Sequence, residues 1–233
     1  MKNNITILGY GVGISKSIAH YFGSQGFTIC IVARNSNKLN QAVLELQEVG
    51  VEVHAFQYDL SDTEIIPKLI EEIKFKIGEI KNILWNAFND SKGDLLNITP
   101  SVLTKDFHLR VTSYIATVQA CLPDLEANSG SILSTNGIFA LDIKSTDLIA
   151  RPYAPLTIAA AAQYKTTNLL IQSLAKSNVF VGQVIVNGFI DGTPGGQDQN
   201  YRVHPDQVAQ EFWKMFLSKS YNSAICGHLV PHE

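Results

Sequence analysis

The chain has no surplus of basic residues: 18 Lys and Arg stand against 21 Asp and Glu, a formal charge of -3. That balance supplies no cationic surface for a phosphate polymer or an anionic membrane, so nucleic acid and lipid are not the expected partners. Long apolar runs are missing too. The opening MKNNITILGYGVG reaches glycines after a few apolar residues, too short a run for a signal-peptide core or a membrane span. Cysteine is scarce, and Cys30, Cys121 and Cys226 lie apart in apolar surroundings without paired spacing. This usage fits reduced core thiols, and a cytoplasmic location is the expectation. The histidines lack metal-ligand spacing as well. His228 and His232 near Cys226 come closest to a cluster but straddle a strand end and the tail, so no metal is expected.

What is present is a core: 45% of the 233 residues are hydrophobic and 17% charged, enough for a single α/β domain spanning residues 1–233. Seven short β-rich runs start at Ile5, Phe27, Val51, Ile80, Gly130, Val179 and Ala224. Between them lie stretches whose apolar residues share one helical face, such as Ile65, Ile66, Leu69, Ile70 and Ile73. Strands alternating with helices imply a doubly wound, seven-stranded parallel sheet with helices on both faces, a three-layer Rossmann-type fold. Ligands of such folds gather at the carboxyl ends of the strands. Residues 137–155 and 191–205 read as irregular loops bordering the cleft, with a substrate loop near 190–204.

The first strand runs into ILGYGVGIS, placing Gly9, Gly11 and Gly13 between an apolar strand and an amphipathic helix opened by Ile14. Glycines there allow a tight turn and a close approach of backbone amides to a diphosphate at the positive end of the helix. The second strand ends in IVARNSNKL. A reader of the ribose 2′-hydroxyl needs a carboxylate at that point, but Ala33 and Arg34 occupy it, followed by Asn35. The planar guanidinium of Arg34 suits a 2′-phosphate, so NADP(H) is favoured over NAD(H); the alternative is a solvated arginine paired with a surface acid.

In this order the residues resemble the short-chain dehydrogenase/reductase family over nearly the whole chain. The resemblance runs through the glycine loop, ARNSNKL, Tyr58-Asp59-Leu60, Trp85-Asn86-Ala87, GSILST, NLLIQSLA, VNGFIDGTP and the closing HPDQVAQEFW and ICGHLV. It implies that Asp59 and Leu60 flank the adenine, that Asn86 and Ala87 run beside the cofactor, and that Gly188, Ile190 and Thr193 belong to the loop around the nicotinamide. It also implies hydride transfer between nicotinamide and a carbonyl or alcohol, and a homodimer or homotetramer. The helices near 101–122 and 156–177 are the expected contact surfaces. The third glycine of the family loop is Ser15 here. In the nicotinamide loop Asn187 replaces a proline, and Gly192 reads as an insertion.

The family's catalytic residues are absent from their expected places. Aligning LIQSLA puts the tyrosine position at Ala160 and the lysine position at Tyr164, while the serine position falls at Gly137 and the asparagine position at Arg110. A phenol of pKa about 10 acts near neutrality only beside a cation that stabilises its anion, so the proton path must differ. Tyr164 and Lys165 are neighbours about 100° apart on a helix and do not share a face. Relocated candidates are Tyr153 and Tyr164, with Lys144 or Lys165 nearby. The other reading of Tyr164 is a ring packed on its helix. Arg110 is open between a structural residue of a central helix and a cation that attracts an acidic substrate. Two functions follow: an atypical NADP(H)-dependent oxidoreductase, or a regulatory or scaffold protein that binds NADP(H) without turnover.

Overall fold

The computed structural model describes residues 2–197 and 199–230. The first half of the chain alternates β1 (Asn4–Leu8), α1 (Ile14–Ser24), β2 (Thr28–Ala33), α2 (Ser36–Glu48), β3 (Val53–Gln57), α3 (Ile66–Ile77) and β4 (Asn82–Trp85). The helix α4 (Pro100–Phe107) passes through a π-helical turn (His108–Ser113) into α5 (Tyr114–Ala127). Then come β5 (Ser131–Gly137), α6 (Lys144–Ala150), α7 (Ala154–Ser173), β6 (Phe180–Asn187), β7 (Phe189–Ile190), β8 (Arg202–Val203), α8 (Pro205–Ser218) and β9 (Ser223–Gly227).

Seven strands form one parallel sheet in the order β3-β2-β1-β4-β5-β6-β9. Every residue of β1, β4 and β6 is buried, which is what a parallel sheet covered on both faces requires. Successive residues of β1 divide between two cores. Ile5 and Ile7 pack with Ile18 and Phe22 of α1, Leu46 of α2 and Phe212 of α8. Leu8 on the opposite face packs with Ile70 of α3 and with Cys121 and Leu125 of α5, while Leu170 and Ile171 of α7 join that side. The period of two along the strand thus decides which helical layer each side chain meets.

The chain winds outward from β1 through β2 to β3 and then returns to place β4 on the other side of β1. This reversal leaves a crevice above the carboxyl ends of β1 and β4, where ligands of open α/β sheets sit. Three elements differ from the sequence reading. The 137–155 stretch is not wholly irregular, since it holds a short 3-10 turn (Ile138–Ala140) and α6. The 191–205 stretch contains β8, whose Arg202 and Val203 pair with Phe189 and Ile190 just before it in a separate two-stranded ribbon. The long helix expected over 101–122 is interrupted by the π-helical turn, an irregularity that recurs at functional sites.

Candidate functional site

Gly9 has φ +90°, and a Cβ built on it would lie 2.5 Å from both N and Cα of Ala87. Here the ends of β1 and β4 meet backbone to backbone, and only glycine satisfies both the turn and the approach. The amides of Gly9 and Tyr10 both donate to the Val32 carbonyl, at 3.1 and 2.9 Å, pinning the loop to β2. A Cβ on Gly13 would lie 2.8 Å from Thr193 Cγ2 and 3.1 Å from Ile190 Cγ2, so the 188–193 loop lies against the glycine loop. At Gly11 nothing lies within 4 Å of the corresponding position. Space for a diphosphate therefore opens at the middle glycine, facing the start of α1, whose first turn has neither a side-chain cap nor an acidic residue.

Ser15, which stands where the family loop has its third glycine, holds the turn together. Its buried Oγ accepts from the Gly11 amide at 2.8 Å and donates to the Gly11 carbonyl at 3.1 Å, clasping the turn across one helical step.

The other residues expected around a dinucleotide border the same edge of the sheet. Arg34 follows β2 and is exposed, with no ion pair to its guanidinium among the described residues. Its carbonyl accepts from Gln57 Nε2 at 3.1 Å, and Asn35 caps α2 by accepting from the Lys38 amide at 3.0 Å. Asp59 accepts from the Ser61 amide at 3.0 Å, while Leu60 is buried among the residues of the α3 face. Asn86 donates from Nδ2 to the Gly9 carbonyl at 3.1 Å, and Ala87 is buried beside it. Gly188 sits where a Cβ would be 2.7 Å from Val203 Cγ2 and 2.8 Å from the Tyr201 carbonyl. Thr193 turns its hydroxyl back to the Ile190 carbonyl at 2.7 Å. Asn187, in place of the family's proline, bonds both ways to Val230: its Nδ2 donates to the carbonyl at 2.8 Å and its Oδ1 accepts from the amide at 3.0 Å.

Of the residues at the family's catalytic positions, Arg110 and Ala160 meet in one polar cluster. Arg110 is 7% exposed on the π-helical turn. Its Nη1 donates to Gln163 Oε1 at 3.0 Å and to Asn136 Oδ1 at 3.5 Å, and its Cζ lies 5.4 Å from the centroid of the Phe88 ring. Asn136 in turn donates to the Ala160 carbonyl at 2.9 Å and accepts from the Gly137 amide at 2.9 Å, while Gln163 donates to the Thr135 carbonyl at 2.9 Å. Burial lowers the Arg110 pKa to about 10, against a smaller opposing pull from Asp106. Gly137 faces open space, with nothing within 4 Å of a built Cβ. Ser134 bonds Thr167 at 3.2 Å inside the core rather than facing the cleft. Asn136, Gln163 and Phe88 carry no motif, and the sequence offered no signal for them.

Neither relocated tyrosine hydrogen-bonds to Arg110, Asn136 or Gln163 among the described residues. Tyr164 packs its ring with Ile138, Ile185 and Val230 in an apolar patch. Tyr153 stacks on Phe139 at 6.2 Å, and Lys92 Nζ lies 5.8 Å from its ring centroid. His228 meets the edge of Tyr201 at 6.2 Å, and His232 lies outside the described residues. Around Tyr153 two segments are tied together. The Gly93 amide donates to the Pro152 carbonyl at 2.8 Å, the Ala154 amide donates to the Gly93 carbonyl at 3.2 Å, and Arg151 pairs with Asp94 at 2.8 Å.

Comparison with known proteins agrees with this geometry. Residues 3–145 match the family model described as short chain dehydrogenase. The chain is 25% identical over 178 residues to the 7alpha-hydroxysteroid dehydrogenase of Escherichia coli (strain K12), covering 76% of this chain and 68% of that protein. It is 24% identical over 176 residues to human 17-beta-hydroxysteroid dehydrogenase 13, where it covers 75% of this chain but spans only 58% of the relative's length. Among solved structures, the alcohol dehydrogenase of the archaeon Thermococcus sibiricus, complexed with 5-hydroxy-NADP, superposes with a TM-score of 0.84 at 18% identity over 99% of both chains. The L-sorbose reductase of Gluconobacter frateurii, complexed with NADPH and L-sorbose, also gives 0.84 at 19% identity, covering 99% of this chain and 97% of that one. With its parallel sheet, its glycine-lined crevice and a family match over more than half its length, the chain belongs to the short chain dehydrogenase family.

Proposed function

We propose that the chain is an NADP(H)-dependent oxidoreductase that transfers hydride between the nicotinamide and a carbonyl or alcohol by an atypical proton path. The observation that carries this reading is the exposed Arg34 guanidinium at the end of β2, without an ion pair among the described residues, at the same edge of the sheet as the open approach at Gly11. In this reading the diphosphate is held by the amides of the turn and first helical step beyond Gly11, those of Gly9, Tyr10 and Gly11 being engaged by the Val32 carbonyl and the Ser15 hydroxyl, and Arg34 and Asn35 hold the 2′-phosphate. Asp59 and Leu60 border the adenine, Asn86 and Ala87 run alongside, and Gly188, Ile190 and Thr193 border the nicotinamide. The bound cofactor supplies the hydride. The chain itself supplies position, and holding a carbonyl against the reactive ring removes much of the entropic barrier. The NADP-type ligands in the two structural relatives support the choice of cofactor.

A second reading, a regulatory or scaffold protein that holds NADP(H) without turnover, is favoured by one observation: Gly137 and Ala160 carry no proton-transferring group, and Tyr164 is packed among apolar side chains. NADPH consumption with a panel of aldehydes, ketones and quinones separates the two. Activity unchanged in a Tyr153→Phe, Tyr164→Phe double variant dismisses both tyrosines as acids. We place the protein in the cytoplasm as a homodimer or homotetramer. No helix among the described residues is long and apolar enough to cross a membrane.

The test of the cofactor assignment is a fluorescence titration with NADPH and NADH. Charge-assisted bonds to a phosphate are worth about 1.5–3 kcal/mol, so Arg34→Ala weakens NADPH binding roughly 10- to 100-fold and leaves NADH unchanged. Absence of binding by either nucleotide, or an NADPH preference that survives the substitution, overturns the assignment.

A further inference from the structure

A guanidinium that serves only the fold has its donors paired, because a buried cation without partners is costly. Arg110 departs from that pattern. Among the described residues, both of its hydrogen bonds leave from Nη1, while the buried Nε has no partner. No carboxylate forms an ion pair with it among the described residues. Asp106, one turn earlier on the same helical segment, attracts it electrostatically, but Oδ1 of that carboxylate accepts from Asn89 Nδ2 and Ser91 Oγ, each at 2.9 Å. Its Oδ2 is likewise buried and unpartnered, so the two opposite charges are close in sequence yet do not bond each other.

Position matters as much as pairing. Arg110 touches Asn136 near the end of β5 and Phe88 just beyond β4, so it lies at the carboxyl edge of the sheet. Gly137, whose amide is held by the same Asn136, faces open space. Phe88, over the guanidinium, is itself 51% exposed, an aromatic cover with little to hold it shut. Gln163 and Asn136 fix Nη1, so the edge formed by Nε and Nη2 is the one left to a ligand. That edge matches a planar carboxylate through two parallel N–H···O bonds.

We propose that Arg110 is the receptor for a substrate carboxylate, admitted past Phe88, and that the substrates are oxo or hydroxy acids rather than neutral carbonyls or alcohols. The assignment rests on the oxidoreductase reading for its reaction and on Arg110 alone for its ligand. Gln163 and Asn136 are positioning residues that hold the fork by one nitrogen. A neutral substrate in the same place would leave the cation as unpaired as it is without ligand, so discrimination against neutral analogues follows from the site itself.

The experiment uses 2-oxo-, 3-oxo- and 4-oxopentanoate with their neutral amides. NADPH binding is first confirmed by fluorescence, and each compound is then titrated into the NADPH-loaded protein. At least one acid is expected to bind tenfold or more tightly than its amide, with the preference lost in Arg110→Gln and reduced to severalfold in Arg110→Lys, which keeps the charge without the fork. A second readout needs no variant: the Arg110 Nε–H resonance of the wild-type protein shifts on addition of the acid and stays in place with the amide. Acids that bind no better than amides, a preference that persists in Arg110→Gln, or an unmoved Nε–H resonance would each overturn the proposal. Failure of NADPH to bind sinks the cofactor assignment instead, and the resonance measurement on the unloaded protein still decides the role of Arg110.

Discussion

Gly9 and Gly11 are the same residue two places apart, yet they do different work. Gly9→Ala forces a side chain into φ +90° and against the Ala87 backbone, which has nowhere to move. The strain and overpacking together cost about 2–4 kcal/mol, so the melting temperature falls by roughly 5–15 °C. Gly11→Ala meets no atom within 4 Å and leaves melting nearly unchanged, but its methyl group occupies the approach of the diphosphate and weakens NADPH binding. Equal melting losses in the two variants, with equal NADPH affinities, would show that the turn has no ligand role. At this scale the sequence was informative where a residue's own backbone freedom decides its place, as at Gly9 and Gly13. It was silent where the neighbours decide. Nothing in FHLRVTSYIA shows that Arg110 is buried, because the partners Gln163 and Asn136 arrive from distant parts of the chain. The clasp of Ser15 on Gly11 is local, but it depends on a side-chain direction that spacing does not reveal.

Among the elements, the strands and long helices were legible because burial on one or both faces writes a period into the sequence. Shorter pieces leave too few residues for a period. The seven residues of α6 and the two-residue strands β7 and β8 lie in stretches that read as loops, and the π-helical turn is hidden inside what looks like one helix. The clamp between the 88–99 and 150–154 segments is such a product of tertiary pairing, and it carries a pH dependence. Asp94 is held below the usual carboxylate range, first by the Leu96 amide and then by the Arg151 guanidinium. A carboxylate with a lowered folded pKa contributes its full stabilisation above its unfolded value of about 3.9 and loses it as the pH falls through the folded value. Hydrogen exchange at Gly93 and Ala154, measured relative to the sheet amides, should therefore be steady near neutrality and rise below about pH 4. In Asp94→Asn that acid-induced rise should disappear; an unchanged pH profile in this variant would remove the carboxylate from the clamp.

For the molecule as a whole, the alternation of strands and helices implies a doubly wound, seven-stranded parallel sheet with helices on both faces, and the structure has that sheet; the order of its strands comes from the structure alone. The crevice gathers residues from both halves of the chain, Gly9 to Arg34 from the first and Gly188 to Thr193 from the second, so a ligand seated there ties the halves together. NADPH at 100 times its Kd stabilises the native state by about 2.7 kcal/mol, which raises the melting temperature roughly 5–10 °C. Differential scanning fluorimetry against NADPH concentration measures this, and a flat response would contradict binding to the folded state. The tail belongs to the same system. Val230 is stitched to Asn187 through both side-chain polar atoms, and Asn187 immediately precedes the loop that crosses Gly13. The start of the chain, by contrast, leads into the amino end of the interior strand β1, at the other end of the strands from the crevice. A purification tag or fluorescent fusion attached at the carboxyl end therefore tugs on the nicotinamide loop, whereas the same label at the amino end leaves it alone.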